Sequence, residues 1–161
     1  KKKTVESYDY VVIFSELVRN ALNYSNLEFI PIDKEIEFLD SYLQLEKLRF
    51  KDDFNYSIKY EGTDDIDVPS LLIQPFLENA LLHGLMHKEV EKKLDVIFYF
   101  KDEKLFCVIE DNGIGRKQAE EIRIRQGIKH SSFALEAIHK SIDIINQKSD
   151  TKFNKYIFEK N

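Results

Sequence analysis

The chain has 161 residues, 43% hydrophobic and 33% charged, which allows one ordinary globular domain of roughly 100–200 residues with a helical extension. A net charge of −5 argues against a nucleic-acid partner, whose phosphates reward dense Lys and Arg. The single cysteine, Cys107, excludes a disulfide framework or a thiolate zinc cluster and suits a reducing compartment.

In chain order, Tyr10, Phe14, Leu17, Ala21 and Tyr24 recur at four and three, predicting an amphipathic helix from Val5 to Tyr24. After a loop ending at Pro31, Asp33 is the expected N-cap of a second helix reaching Phe50. Glu35 and Glu37 sit at its positive end, and Lys47 and Arg49 in its last turns. Phe54, Tyr56, Ile58 and Tyr60 then alternate with polar residues, the period of a half-buried strand ending at Glu61-Gly62. An acidic loop, 63–67, leads to "PSLLIQPFLENALLHGL". That segment reads as a helix reaching at least Gly84, and Pro75 requires either that the regular helix starts near Gln74 or that it bends. Within it lies the longest apolar stretch, Ser70 to Leu82, too short and too interrupted by Gln74, Pro75, Glu78 and Asn79 for the ~20 residues of a membrane span. Residues 94–100 and 104–109 form an expected hairpin around "KDEK". Leu135, Ile138, Ile142 and Ile145 have helical spacing, and Phe153, Tyr156, Ile157 and Phe158 suggest a last strand. Strands mixed with helices in this order predict an α+β fold: a two-layer α/β sandwich, one mixed sheet with helices on one face, preceded by a helical arm.

Two polar islands interrupt the apolar pattern. Asn79 and His83 are four apart and share a helix face, with Glu78 to one side. Each alone suits loop capping or satisfaction of buried backbone. Together they also suit chemistry, the asparagine oxygen as a hard ligand for a phosphate-bound Mg²⁺ and the carboxylate as a base. The second island is "EDNGIG", at the exit of an oily strand. Asn-Gly is a common turn dipeptide. A carboxylate at Asp111, however, needs a donor, such as the exocyclic amine of a base, and Gly113 and Gly115 leave room for a flat ring.

"LLIQPFLENALLHGL" followed by "VIEDNGIGRKQ" resembles the asparagine box and DxGxG box of the GHKL (Bergerat) ATP-binding fold. With "IDKEIEFLDSYLQLEKLRF" before them, the wording is nearest to LytS-type sensor histidine kinases, and the resemblance runs from about Val5 to Phe158. It implies ATP and Mg²⁺ as ligands, with Asn79 on the metal, Glu78 as the neighbouring base and His83 near the phosphates. Asp111 would meet the adenine amino group, and Gly113 and Gly115 would shape the pocket. Residues 116–130 would be the ATP lid, whose Arg116, Arg123, Arg125, Lys129 and His130 either meet phosphates or are simply solvated. Ser131 or Ser132 would cap the helix that offers its N–H groups to phosphate.

Three departures accompany the resemblance. The family's second glycine box stands as "SFALEAI", with Ser132 and Ala134 in place of glycines and Ala137 near the asparagine position. Leu82 occupies a position that is usually basic. None of His83, His87, His130 and His139 lies in a phosphoacceptor stretch like "NPHFLFN", so that histidine is expected upstream. The expected division is residues 1–30 as the end of a dimerisation and phosphotransfer helical region and 31–161 as the catalytic domain. The implied whole is a homodimeric histidine kinase passing its phosphoryl group to the receiver domain of a response regulator. This portion would be cytoplasmic and unable to autophosphorylate, tied to a membrane only through an N-terminal sensor region. The alternative is a nucleotide-impaired module of the same fold, kept as a dimerisation or interaction platform.

Overall fold

A computed structural model describes residues 2–50, 53–62, 66–88, 90–101, 104–115, 121 and 159–160. The elements run α1 (Lys2–Tyr24), β1 (Phe29–Pro31), α2 (Ile32–Phe50), β2 (Phe54–Glu61), β3 (Asp67–Pro69) and α3 (Gln74–Asn79). A π-helical segment, Ala80–Leu85, continues α3, and β4 (Lys92–Lys101), β5 (Lys104–Asp111) and β6 (Glu159–Lys160) follow. The chain is thus α+β, with helices and a mixed sheet. It divides into two compact units, residues 1–55 with 64–73, and residues 56–63 with 74–161. The division at residue 30 expected from the sequence is a functional one and stands apart from these packing units.

In the first unit the predicted helices form, α2 starting two residues early, at Ile32, so that Asp33 lies inside its first turn rather than capping it. The buried residues Ile32, Glu35, Leu39 and Leu43 of α2 recur at three and four, with Phe38 and Leu45 beside them, while Ile36 is half-buried. Tyr24 of α1 meets Phe38 edge-on at 6.2 Å. Phe50 meets Phe54 at 5.5 Å, with the Arg49 guanidinium 4.8 Å from the Phe50 ring. Two short strands absent from the sequence expectations, β1 and β3, pair antiparallel, Ile30 opposite Val68. Three-residue strands have no alternation long enough to read.

Glu35 departs most from expectation. It is in the first turn of α2, yet fully buried. Its carboxylate accepts the backbone N–H groups of Leu71, at 3.1 Å, and Ile73, at 3.4 Å. Those donors belong to a loop in which Leu71 adopts a left-handed backbone, φ 56°. For a residue with a side chain that conformation costs roughly 1–2 kcal/mol. The loop therefore has no regular ladder to satisfy its N–H groups, and a carboxylate supplies the acceptors instead.

Burial pushes the Glu35 carboxyl up to about 7, against the downward pull of the two N–H groups. A native value above the unfolded one means that the folded chain holds this proton more tightly. The associated stability is present below the unfolded value and is lost as pH rises through about 7. At ~1.4 kcal/mol per unit the loss is on the order of 3 kcal/mol. Urea denaturation at pH 5 and pH 8 should show wild type losing about 2–3 kcal/mol more than Glu35→Gln over that interval. Equal slopes would remove Glu35 as the titrating group.

In the second unit the strand order is β2-β4-β5-β6. The predicted hairpin is present, β4 and β5 pairing antiparallel from Leu94 opposite Asp111 to Lys101 opposite Lys104. β6 adds parallel to β5, Ile109 opposite Glu159, which makes the sheet mixed. It lies just after the expected last strand; residues 153–158 and the expected helix around 135–145 fall outside the described residues. Ser57 of β2 donates to Asp95 of β4 at 2.5 Å.

Candidate functional site

The hairpin register decides where Asp111 points. Side chains alternate along a strand, and Leu94, Val96 and Phe98 of β4 are buried opposite Asp111, Ile109 and Cys107 of β5. Asp111 therefore continues the row that faces the core. On the other face Tyr99 and Phe106 stack at 5.1 Å.

The carboxylate does not depend on a ligand for a donor, contrary to the sequence expectation. Its Oδ1 accepts the N–H of Gly113 at 2.8 Å, an Asx-type turn at the strand exit. Gly113 is there for close approach rather than to leave open space. A Cβ built on it would lie 2.5 Å from the carbonyl carbon of Gly84 and 2.6 Å from both the Gly84 Cα and Asp111 Oδ1. Gly115, at φ 80°, occupies the left-handed region that glycine tolerates.

The helix carrying the first polar island arrives at the same corner. α3 starts at Gln74, the first of the two options that Pro75 left open, with the proline in the first turn, where a missing N–H costs nothing. Phe76, Leu77, Ala80, Leu81 and Leu85 are buried. From Ala80 the turns widen, the Met86 N–H reaching the Leu81 carbonyl at 2.8 Å, five residues back. Such π segments are rare and frequent at functional sites. This one sets Gly84 against the strand exit, its carbonyl accepting the Ile114 N–H at 3.2 Å. Glu78 and Asn79 are half-buried one turn earlier, and Glu78 accepts a bond from Gln74 at 2.8 Å. The structure thus joins Gly84, which follows the first island in the chain, to Asp111, Gly113 and Ile114, and the His83 side chain is not among those described. Arg116, Arg123, Arg125, Lys129, His130, Ser131 and Ser132 lie outside the described residues, as do Ala134 and Ala137. Leu82, the position expected to be basic, is 41% exposed, so an apolar side chain meets solvent there.

Sequence reasoning passed over two residues of this corner. By residue type Asn112 is half of a turn dipeptide. Its Oδ1 accepts the Lys93 N–H at 2.8 Å, its Nδ2 donates to the Glu91 carbonyl at 3.1 Å, and its own carbonyl accepts the Lys88 ammonium at 2.6 Å. It clasps the loop before β4 to the end of β5. Gly84 was read only as a helix end, although an isolated glycine in a helical pattern usually has a packing reason.

A profile of the histidine kinase family matches residues 1–54. The LytS sensor protein of Oceanobacillus iheyensis is 31% identical over 106 residues, 65% of this chain and 18% of that protein. The LytS sensor protein of Staphylococcus haemolyticus is 29% identical over 102 residues, 63% of this chain and 18% of that protein. An uncharacterized sensor-like histidine kinase of Staphylococcus epidermidis is 22% identical over 143 residues, 88% of this chain and 27% of that protein. Over about two thirds of its length the chain is similar to LytS-type sensor histidine kinases. Its matched part is less than a fifth of the length of the LytS proteins. The profile match falls on the first compact unit, whereas the Asp111 corner is in the second. Among the described residues, no helix is long and apolar enough to cross a membrane. No group of three His, Cys, Asp or Glu among them could hold a metal ion.

Asn112→Ala would leave the Lys93 N–H and the Glu91 carbonyl without their side-chain partner, a loss of about 1–2 kcal/mol in urea denaturation. Asn112→Asp, which keeps the acceptor, should fall between alanine and wild type. An alanine variant as stable as wild type would contradict the clasp.

Proposed function

We propose that this chain is the ATP-binding catalytic portion of a two-component sensor histidine kinase on a GHKL-type fold. Residues 1–30 would close a dimerisation and phosphotransfer helical region and residues 31–161 form the nucleotide-binding domain. The observation that carries this reading is the meeting of Gly84 with Asp111 and Gly113, which brings the asparagine-bearing helix and the glycine-rich strand exit together within one compact unit. The similarity to LytS sensor proteins supports it.

In this reading Asp111 accepts the amino group of adenine, and the half-buried Asn79 offers its amide oxygen to the Mg²⁺ of the incoming nucleotide. A single neutral oxygen, without a cluster of carboxylates, suits an ion that arrives on the triphosphate and takes most of its ligands from phosphate and water. His83, Arg116, Lys129, His130 and Ser132 would serve the phosphates. An imidazole nitrogen of the acceptor histidine bonds to the γ-phosphorus while the bond to the β,γ-bridging oxygen breaks. ADP leaves with that electron pair, and Glu78 takes the imidazole proton. The acceptor belongs upstream of this chain, in the same or a partner protomer. The phosphoryl group then passes to an aspartate of a receiver domain.

α1 supports a homodimer. Tyr8, Val11, Phe14, Val18 and Leu22 leave an exposed apolar surface along it, of the kind that marks association. We assign this portion to the cytoplasm, behind a sensor region.

Calorimetric titration with Mg·ATP tests the reading. Binding below millimolar, with a rise in melting temperature, is expected of wild type. Asp111→Asn, whose amide oxygen can keep the Gly113 N–H, should weaken ATP by ~10-fold or more without loss of fold, because its NH₂ now opposes a donor. Failure of wild type to bind at millimolar nucleotide would overturn the kinase reading in favour of an interaction module. Asn79→Ala should abolish the Mg²⁺ dependence of binding, and persistence of that dependence would refute the metal assignment.

A further inference from the structure

A glycine within a helical run weakens it by about 1 kcal/mol relative to alanine, so Gly84 is there for its missing side chain. What that absence makes room for is specific. A Cβ at Gly84 would lie 2.8 Å from Asp111 Oδ1, 3.3 Å from Cγ and 3.6 Å from Oδ2. Its three nearest neighbours all belong to one carboxylate. The same oxygen, Oδ1, accepts the Gly113 N–H at 2.8 Å. Asp111 Oδ1 thus lies close to Gly84 while bonded to the amide of Gly113, and a group added at Gly84 must turn the carboxylate or strain that bond.

The two glycines differ in what a methyl group would push. At Gly113 the nearest atoms include the backbone of Gly84, which must move as a helix. At Gly84 they are the far end of a side chain that can turn about two torsions. The geometry points to Gly84 as a positioning residue for base selection: it leaves the Asp111 carboxylate at the depth and orientation at which it distinguishes a purine bearing a 6-amino group from one bearing a 6-oxo group. This rests on the adenine reading given above. Gly84 would touch no reacting atom; it acts through Asp111.

The test compares wild type, Gly84→Ala and Gly113→Ala for binding of Mg·ATP and Mg·ITP, whose base carries an oxygen in place of the amine. The Gly113 amide proton is followed by NMR alongside. Wild type should favour ATP over ITP by ~10-fold or more, since a site built to bond a substrate group rejects the analogue lacking it. Gly84→Ala should melt no lower than wild type, move the Gly113 amide resonance and bring the two affinities within about 2-fold of each other, ITP binding being nearly unchanged. Gly113→Ala should instead lower the melting temperature. A Gly84→Ala chain that keeps the wild-type ATP preference, or loses ATP and ITP affinity equally, overturns the positioning role. A wild type that binds ATP and ITP alike overturns the adenine reading itself, and the selection role with it.

Discussion

The second unit is organised around a contact that no side chain could make: the backbone of Gly84 against Gly113, with the Asp111 carboxylate fitted beside them. At Gly113 a Cβ is excluded by the backbone of Gly84, whereas at Gly84 it would push on the Asp111 carboxylate. The consequence is that the polar helix turn and the strand exit hold a fixed relation. The Ile114 N–H bonds the Gly84 carbonyl, and Asn112 ties the same exit to the loop before β4. A close-packed corner of this kind transmits small displacements instead of absorbing them. That is the property required of a site that must hold one carboxylate in one place.

The first unit uses a different device. A strained loop, with Leu71 in the left-handed region, hangs its N–H groups on a buried glutamate. Burying a carboxylate is costly unless it is bonded, and here the bonds only partly offset the cost, so the carboxyl titrates near neutrality. The exposed apolar residues of α1 in the same unit are a separate matter. They leave a surface to be covered, which the reading as a dimerising helix supplies.

How much of this was legible in the sequence depended on the length of the pattern. The three-four spacing in α1 and α2 and the alternation in β2, β4 and β5 repeat often enough to set the type of element, but the face read in α1 is not a buried one: Tyr10 and Phe14 are exposed. β1 and β3 are three residues each, and their pairing is a tertiary event with no local period. Asp111 and Asn79 stood out as polar groups in apolar surroundings. Glu35 did not, because a glutamate in a first helical turn has a sufficient local explanation in the helix dipole. Its real role depends on a loop 36 residues away in sequence. Gly84 and Asn112 were visible as residue types with matching duties elsewhere, helix end and turn. Only the register of β5 and the widened turn at Ala80–Leu85 reveal what they touch. The LytS resemblance was carried by whole motifs and holds against the family match and the LytS relatives.

The central claim is that the corner of Gly84, Asp111 and Gly113 receives an adenine nucleotide. Backbone amide NMR of the chain during titration with Mg·ATP addresses it residue by residue. The amides of Gly84, Gly113 and Ile114 should shift together and saturate at one nucleotide per chain. Saturable shifts confined to residues 1–55, or none at millimolar nucleotide, would contradict it.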